Sequence, residues 1–306
     1  MSSGTQIITY IVPETTPGET PAEPTWQTLR LTGNTMSPSV NVEQSDEIRA
    51  DRMNGGGIIT SLDYQGELQF EFSALTFDDL LEAAFYGTWD SDTLEVGADR
   101  HTFSVVKGYK DVGVWAAFRG VHVGQMSLEI PEEGKVTGSF TCMALESDDG
   151  TLNPTDGDTI LPSTTTVPMG SATSVGDIEI NDTVMAGQAC ISALSLNIDN
   201  TIQVQRCLGQ AGPGRLIETR ANITGQVTMA WSADAYALWS KMLTREAVKL
   251  VFPLQDAAGN TYTFEIPEAE LDGDLPDGGN ESIVQVELNL TARNTPVKVT
   301  RSIATP

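Results

Sequence analysis

Basic residues are scarce in this sequence. It holds 17 Lys and Arg against 42 Asp and Glu in 306 residues, a formal net charge of −25 at pH 7. A surface this acidic repels phosphate groups, and binding to nucleic acid depends largely on neutralising them. The composition therefore excludes a protein that grips DNA or RNA. Because 40% of the residues are hydrophobic, a folded core is still expected.

Cysteine and histidine are also rare. The three cysteines (Cys142, Cys190 and Cys207) form no Cys-x-x-Cys pair, so neither a disulfide framework nor a zinc site is predicted, and folding in a reducing compartment is expected. The sequence has two histidines, His101 and His122, and no G-x-S-x-G motif. It therefore contains few of the residues from which catalytic sites are usually built. We therefore predict no enzyme activity, no metal and no cofactor.

Long apolar runs are missing as well. No stretch approaches the roughly 18 apolar residues of a membrane-spanning helix. The first 25 residues lack both a basic segment and a long apolar segment, so we expect no signal peptide. Membrane insertion is not predicted.

The chain divides at two polar stretches. Residues 1–27 begin with a short β-prone segment and continue into a proline-rich one, which predicts an extended N-terminal arm. Residues 147–175 are rich in Ser, Thr, Asp, Gly and Pro and are interpreted as a linker. Two units of similar length remain, 28–146 and 176–306. Neither polar stretch can bury a core alone, so both are expected to be mobile in the single chain.

The two units resemble each other. Aligning Gly66 with Gly225 places Ser73 and Ala74 on Ser232 and Ala233 with no gap. At this offset Leu68, Phe70, Phe72, Phe77 and Leu80 fall on Val227, Met229, Trp231, Tyr236 and Trp239. In both copies an alternating strand pattern changes to a helical one at the same point, which indicates an internal duplication.

The local patterns predict a mainly β fold with one short helix in each unit. Residues 66–74 alternate polar and apolar side chains, as in a strand with one buried face. We predict that Thr76 begins a helix that Gly87 ends, and that Asp234 begins the second helix. Residues 256–260 form a turn between two alternating runs, which is typical of a β-hairpin.

Two local motifs allow more than one interpretation. Gly209, Gly212 and Gly214 could cradle a phosphate, but no helix pattern follows them, which favours a loop between strands. A second motif is an acidic cluster that suggests calcium, although a solvated turn is favoured because it lacks an EF-hand register. Its members are Glu270, Asp272, Asp274 and Asp277. A carboxylate pair for glycoside hydrolysis remains open.

Several segments stand in a recognisable order along the chain. They are residues 10–15 (YIVPET), 26–33 (WQTLRLTG), 45–52 (SDEIRADR), 76–83 (TFDDLLEA), 118–120 (FRG), 127–141 (SLEIPEEGKVTGSFT) and the hairpin around 256–264. Together they resemble the major tail tube proteins of bacteriophages with long non-contractile tails, the siphophages. The N-terminal half carries most of this resemblance.

The resemblance implies tandem β-sandwich or barrel units of the tail-tube type that stack as rings into a hollow tube in the virion. Two units per chain imply trimeric rings with pseudo-sixfold symmetry, assembled in the bacterial cytoplasm. The implied partners are further copies of the chain, the tape measure protein, the tail terminator and tail-tip proteins, with DNA passing unbound. Two alternatives stay open: another acidic β-rich phage surface protein, such as a head decoration protein or tail-tip adhesin, and a carbohydrate-binding or hydrolase domain.

Two sets of residues are predicted to act in such a tube. A DNA conduit needs a wall of carboxylates and neutral amides, because basic groups would bind every passing phosphate. The predicted lumen residues are Glu67, Gln69, Glu71, Glu129, Gln285 and Glu287. A tightly alternating charged stretch is predicted to contact a neighbouring subunit, with a solvated loop as the alternative. Its residues are Asp46, Glu47, Arg49, Asp51 and Arg52.

Overall fold

A computed structural model describes residues 3–51, 53, 55–148, 150, 153, 157–186, 189–279 and 283–304. It confirms the mainly β fold class, with one large sheet system and short helices. After a 3-10 turn at Gly4–Gln6, the described residues form 21 strands and three short α-helices.

The N-terminal half contains ten strands and one helix within the described residues. They are β1 (Ile7–Pro13), β2 (Thr25–Leu29), β3 (Gly33–Asn34), β4 (Ser37–Gln44), β5 (Gly57–Glu71), α1 (Asp78–Phe85), β6 (Thr93–Glu95), β7 (Phe103–Tyr109), β8 (Val114–Ile130), β9 (Thr137–Met143) and β10 (Glu146–Ser147). A connecting segment carries β11 (Thr159–Leu161) and α2 (Ser171–Ser174).

The C-terminal half follows the same plan. Its elements are β12 (Glu179–Ile180), β13 (Thr183–Val184), β14 (Ile191–Asp199), β15 (Gln203–Gln205), β16 (Arg215–Ile217), β17 (Asn222–Ala230), α3 (Ala233–Thr244), β18 (Val248–Gln255), β19 (Thr261–Asp272), β20 (Gln285–Ala292) and β21 (Lys298–Ser302).

Each half consists of two sheets that share one long bent strand. In the N-terminal half, β8 ends the order β2–β1–β7–β8 and also the order β4–β5–β9–β8. The strand changes direction near Gly120, which has a φ of +61° that favours glycine. A register shift between Val123 and Gln125 adds to this bend.

The C-terminal half repeats this pairing order. Its sheets run β13–β12–β18–β19 and β14–β17–β20–β19, so β19 takes the place of β8. The hairpins β7–β8 and β18–β19 carry a register shift at corresponding points. The shift lies between Phe103 and Val105 in the first hairpin and between Val248 and Leu250 in the second. Register is retained elsewhere too, since Gln65 pairs with Met143 and Thr224 pairs with Thr291. The common topology supports the predicted duplication.

The two halves join edge to edge within the chain. Strand β14 pairs with β17 on one side and with residues 125–130 of β8 on the other. A second link joins β21 to β6. One continuous sheet, in the order β4–β5–β9–β8–β14–β17–β20, therefore spans both halves.

Aromatic side chains fill the core behind this sheet. Phe70 stacks on Phe140 at a centroid separation of 4.8 Å, and Phe72 meets Phe264 of the other half at 6.2 Å. Each buried Phe contributes about 1.5–3 kcal/mol by leaving water. A smaller second core lies on the far side of β7 and includes Tyr10 and Trp26.

The proline-rich arm and the linker both pack onto the N-terminal half, so the expectation that they are mobile in the single chain is wrong for their described residues. Strand β1 is inserted between β2 and β7, and Trp26 is fully buried. In the linker, β11 pairs with β2, and the backbone of Met169 bonds to both Phe72 and Val136. Tyr10, Val12 and Trp26 of the arm belong to the second core, and Met169 of the linker belongs to the main core. This burial offsets the entropy lost on ordering the two segments.

Candidate functional surfaces

All six predicted lumen residues lie on one face of the sheet that spans both halves. The face, called the polar face below, comprises Glu67, Gln69, Glu71 (β5), Thr137, Ser139, Thr141 (β9), Gln125, Ser127, Glu129 (β8), Ser195, Asn197, Asp199 (β14), Asn222, Thr224, Gln226, Thr228 (β17), Gln285, Glu287, Asn289 and Thr291 (β20). Every position carries an acid, an amide or a hydroxyl, and none carries Lys or Arg.

Strand register aligns these side chains in rows, because directly paired residues share a face. One row crosses six strands through Glu71, Thr137, Glu129, Ser195, Gln226 and Asn289. The row passes without interruption from the N-terminal to the C-terminal half. The polar face therefore forms one surface, although the duplication supplies it in two pieces.

The alternate residues of the same strands explain why this face points outward. Leu68, Phe140, Leu128, Leu196 and Val227 are all almost fully buried. Because the side-chain period of a strand is two, burying this set exposes the polar one. A one-residue slip in any strand would bury carboxylates, so the register is strongly specified.

Hydrogen bonds between neighbouring strands hold the polar side chains in place. Gln125 Nε2 donates to Asn197 Oδ1 over 2.7 Å across the joint between the halves. Ser127 and Ser139 are 3.0 Å apart. A lysine reaches the rim of the face, where Lys135 Nζ lies 2.6 Å from Glu71. The resulting surface is polar and acidic, and several of its amides hydrogen-bond to one another.

The charged stretch lies at the tip of the β4–β5 hairpin. Arg49 pairs with Asp51 at 2.8 Å, and this hydrogen bond lowers the pKa of Asp51. Both side chains are largely exposed, as are Asp46 and Glu47. Arg52 lies outside the described residues. The structure brings four of the five predicted contact residues together in one loop.

The hairpin behind that tip is unusually apolar for an exposed element. Val40, Val42, Ile58 and Ile59 are each more than half exposed. Strand β4 pairs with β5 alone within the described part of the chain, and an isolated two-stranded hairpin is marginally stable in water. These features indicate a surface that is covered by something else.

The predicted acidic cluster does not converge on a single point. Glu270 accepts hydrogen bonds from Arg245, at 2.6 Å, and from Arg293. The bond from Arg245 is the main cause of its lowered pKa. Asp272 belongs to the β19–β20 ladder. Among the described residues, no group of three or more His, Cys, Asp or Glu side chains is placed to hold a metal ion.

The sequence interpretation named six of the twenty residues of the polar face and missed the other fourteen. Strand β14 was not predicted, yet Ser195, Asn197 and Asp199 lie at the centre of the row pattern. A signal was present, because Leu194, Leu196 and Ile198 alternate with these three residues. The glycine-rich segment 209–214 lies between β15 and β16, as the loop interpretation predicted.

Comparison with known proteins gives the family. No helix among the described residues has the length and apolar character needed to cross a membrane. No curated protein matches the chain. A family model described as phage tail tube protein matches residues 4–292, which is nearly the whole length. The chain therefore belongs to the phage tail tube protein family.

Proposed function

We propose that this structural tail tube protein polymerises into stacked rings whose polar face lines the channel for the phage genome. The observation that carries the proposal is the composition of that face, whose twenty named positions hold only acids, amides and hydroxyls and no Lys or Arg. The apolar residues that the register adds at its margins are Met143, Ala193 and Ala230. DNA carries one negative charge about every 1.7 Å along its axis. A wall of carboxylates, amides and hydroxyls gives that charge no strong binding minimum along the tube.

Three chains complete a ring in this proposal. The two halves share one topology, and the β8–β14 joint already places them side by side in one sheet. Repeating that joint between chains closes a ring of six similar units. Closed cyclic symmetry is the ordinary arrangement of homo-oligomers. The ring then has threefold symmetry that approximates sixfold symmetry.

The further partners follow from this role in the tail of a siphophage. They are the tape measure protein inside the tube, the tail terminator at one end and the tail-tip proteins at the other. Assembly takes place in the host cytoplasm, and the finished protein resides in the virion. DNA passes through without specific binding, and no enzymatic step is required of the chain.

Lysine substitutions on the polar face test the channel assignment. Glu67→Lys, Glu129→Lys and Glu287→Lys, combined in the phage, should leave tubes intact and slow DNA ejection. The slowing should be greatest at low salt, because the Debye length is about 30 Å at 0.01 M and about 8 Å at 0.15 M. Glu71 is left unchanged because it already contacts Lys135. Ejection is followed by the fluorescence of a DNA-binding dye after receptor addition.

The matched control replaces the same three residues with Gln. Removing negative charge without adding positive charge should leave the ejection rate close to that of the wild type. If the lysine variant ejects at the wild-type rate across the salt range while its tubes remain normal, these residues lie outside the channel.

A further inference from the structure

The helix of the C-terminal half exposes an aromatic surface. Tyr236 is 52% and Leu243 68% exposed, and Trp231 and Trp239 are only partly buried. The ring centroids of Tyr236 lie 6.0 Å from Trp231 and 5.8 Å from Trp239. These four residues are called the α3 aromatic face. A cluster of large aromatic side chains on a protein surface more often marks a site of contact with another molecule than a surface that stays in solvent.

Their counterparts in the N-terminal half are buried. At the offset of the duplication, the four residues correspond to Phe72, Phe77, Leu80 and Ala84. None of these is more than 2% exposed. The offset is structurally sound, because α1 and α3 end at the corresponding residues Tyr86 and Arg245, both left-handed with φ of 49° and 53°.

The C-terminal half of the same chain covers Phe72 and the start of α1, whereas Phe77 packs on Phe70 and Phe140 of its own half. Tyr262 packs edge-on against Phe72 at 5.6 Å, with Phe264 beside it at 6.2 Å. The hydroxyl of Tyr262 donates to Asp78 and accepts a hydrogen bond from the backbone N–H of Leu75. The same two halves are also joined by the β8–β14 ladder. The internal joint of the chain therefore shows one way in which two such units pack together.

A second copy of the chain would present matching elements to the α3 aromatic face. Aligning the register shifts of the two long hairpins places Val114 and Ala116 at the positions of Tyr262 and Phe264. Val114 is 52% exposed. The α3 aromatic face has larger side chains than its counterparts in the N-terminal half. Val114 and Ala116, which would pack against it, are smaller than Tyr262 and Phe264. Such an exchange keeps the summed volume of the joint close to constant, as tight packing requires.

The sheet edges match in the same way. Within the chain, residues 194–199 of β14 pair with residues 130–125 of β8. The corresponding segments are 34–39, which forms the outer edge beside β5, and 272–277, which follows β19. Leu275 is 56% exposed, whereas its counterpart Leu128 is 1% exposed. Within the described chain, the edge at residues 34–39 has no strand on its outer side and Leu275 has no cover. The internal joint provides both for the corresponding residues of β14 and β8.

We propose that the α3 aromatic face receives the N-terminal half of the next copy of this chain, and that residues 35–39 of that copy add as an antiparallel strand along residues 276–272. This assignment rests on the proposed ring. It gives the ring contact a register: Ser37 of one chain lies opposite Asp274 of its neighbour, as Asn197 lies opposite Ser127 within the chain. Strand addition supplies main-chain hydrogen bonds, and the aromatic residues supply apolar contact.

Disulfide trapping tests the register directly. S37C and D274C are introduced together after the exposed Cys190 and Cys207 have been changed to Ser, while the buried Cys142 is retained. Directly opposed strand residues have Cβ atoms about 4.5–5.5 Å apart, which disulfide formation tolerates with small movement. Mild oxidation of assembled tubes should give covalent dimers and trimers on a non-reducing gel, with no larger species.

The matched control moves one cysteine by one residue. S37C with L275C places the second thiol on the opposite face of its strand, so cross-linking should fall at least about tenfold. Intact tubes in which S37C and D274C do not link, or link no better than the control, would overturn the proposed joint and leave the tube itself standing. A wild-type chain that forms no rings would overturn both.

A second variant tests the α3 aromatic face without relying on strand register. Tyr236→Glu with Leu243→Glu changes two exposed side chains, so the chain should fold with the thermal midpoint of the wild type and remain monomeric in size-exclusion chromatography. Val167→Glu, at another exposed apolar residue (66% exposed), serves as the control and should still assemble. Normal rings from the Tyr236 and Leu243 double variant would contradict the proposal.

Discussion

At the residue scale, two glycines mark corresponding points of close approach between neighbouring chain segments. A Cβ atom added at Gly66 would lie 2.4 Å from the backbone nitrogen of Met36, and one added at Gly225 would lie 2.7 Å from the carbonyl oxygen of Ser195. The two positions correspond in the duplication. Gly66 and Gly225, on which the sequence alignment of the two halves was based, are therefore both glycine for the same steric reason.

Alanine at either glycine should destabilise the fold. Gly66→Ala and Gly225→Ala force backbone away from the new methyl group, at a cost of about 1–3 kcal/mol each, the range seen for overpacked sites. Urea denaturation followed by tryptophan fluorescence measures the change. Gly56→Ala is the control, because nothing lies within 4 Å of its added Cβ. Equal stability of all three variants would show that the strands separate without cost.

Residue types alone predicted the character of the polar face but only part of its extent. Glu67, Gln69 and Glu71 alternate with large apolar residues, and the pattern is clear without a structure. Thr137, Ser139 and Thr141 carry the same alternation in shorter side chains and were not selected. Their membership depends on long-range strand pairing, which no local pattern contains.

At the element scale, helix positions were predicted better than helix ends. The predicted N-caps were wrong. Helix α1 starts with Phe77 as its N-cap, while Thr76 is engaged with Thr164 of the linker. In α3 the capping hydroxyl belongs to Ser232, which accepts from the N–H of Ala235. In α1, the tertiary contact of Thr76 draws its hydroxyl away from the helix. In α3, Ser232 caps the helix instead of Asp234, because it is an equally good capping residue and lies two positions earlier.

The arm also shows where local composition misleads. Four prolines within residues 13–24 predicted a segment free of the body, but the apolar residues before them insert β1 into a sheet. Deletion of residues 2–24 would remove that central strand and expose the second core. The segment is therefore part of the folded unit, whatever further role it has in the tube.

The charged loop is the element whose role in assembly is most open to test. Arg49→Glu with Arg52→Glu should prevent or slow tube growth, because the reversed charges repel the acidic surface of a neighbouring copy. The free energy of unfolding should change by less than about 0.5 kcal/mol, as is usual for exposed sites. Turbidity and electron microscopy follow growth, and chemical denaturation follows stability.

Arg49→Lys with Arg52→Lys is the matched control, because it keeps both positive charges in the sequence. Its growth rate should stay near that of the wild type. Wild-type growth and unchanged salt sensitivity in the Glu variant would show that the loop is merely solvated.

At the scale of the whole molecule, the chain has two halves with the same strand-pairing order, joined through a sheet edge. The joint is consistent with three observations: the unbroken polar face, the contact of Phe72 and the start of α1 with the other half, and the exposure of the corresponding surface on α3. Sequence comparison of the halves predicted the duplication. The joint itself was not predictable, because β14 was missed and edge pairing between distant strands leaves no periodic signal.

The number of chains per ring tests this account most directly. The internal joint predicts three chains of 32.8 kDa, about 98 kDa per ring. High-resolution electron cryo-microscopy of assembled tubes should show threefold rings that approximate sixfold symmetry only at low resolution. Within each ring, α1 and α3 should alternate around the circumference. Rings traced as six chains, or rings in which α3 remains exposed, would contradict the equivalence of the two halves.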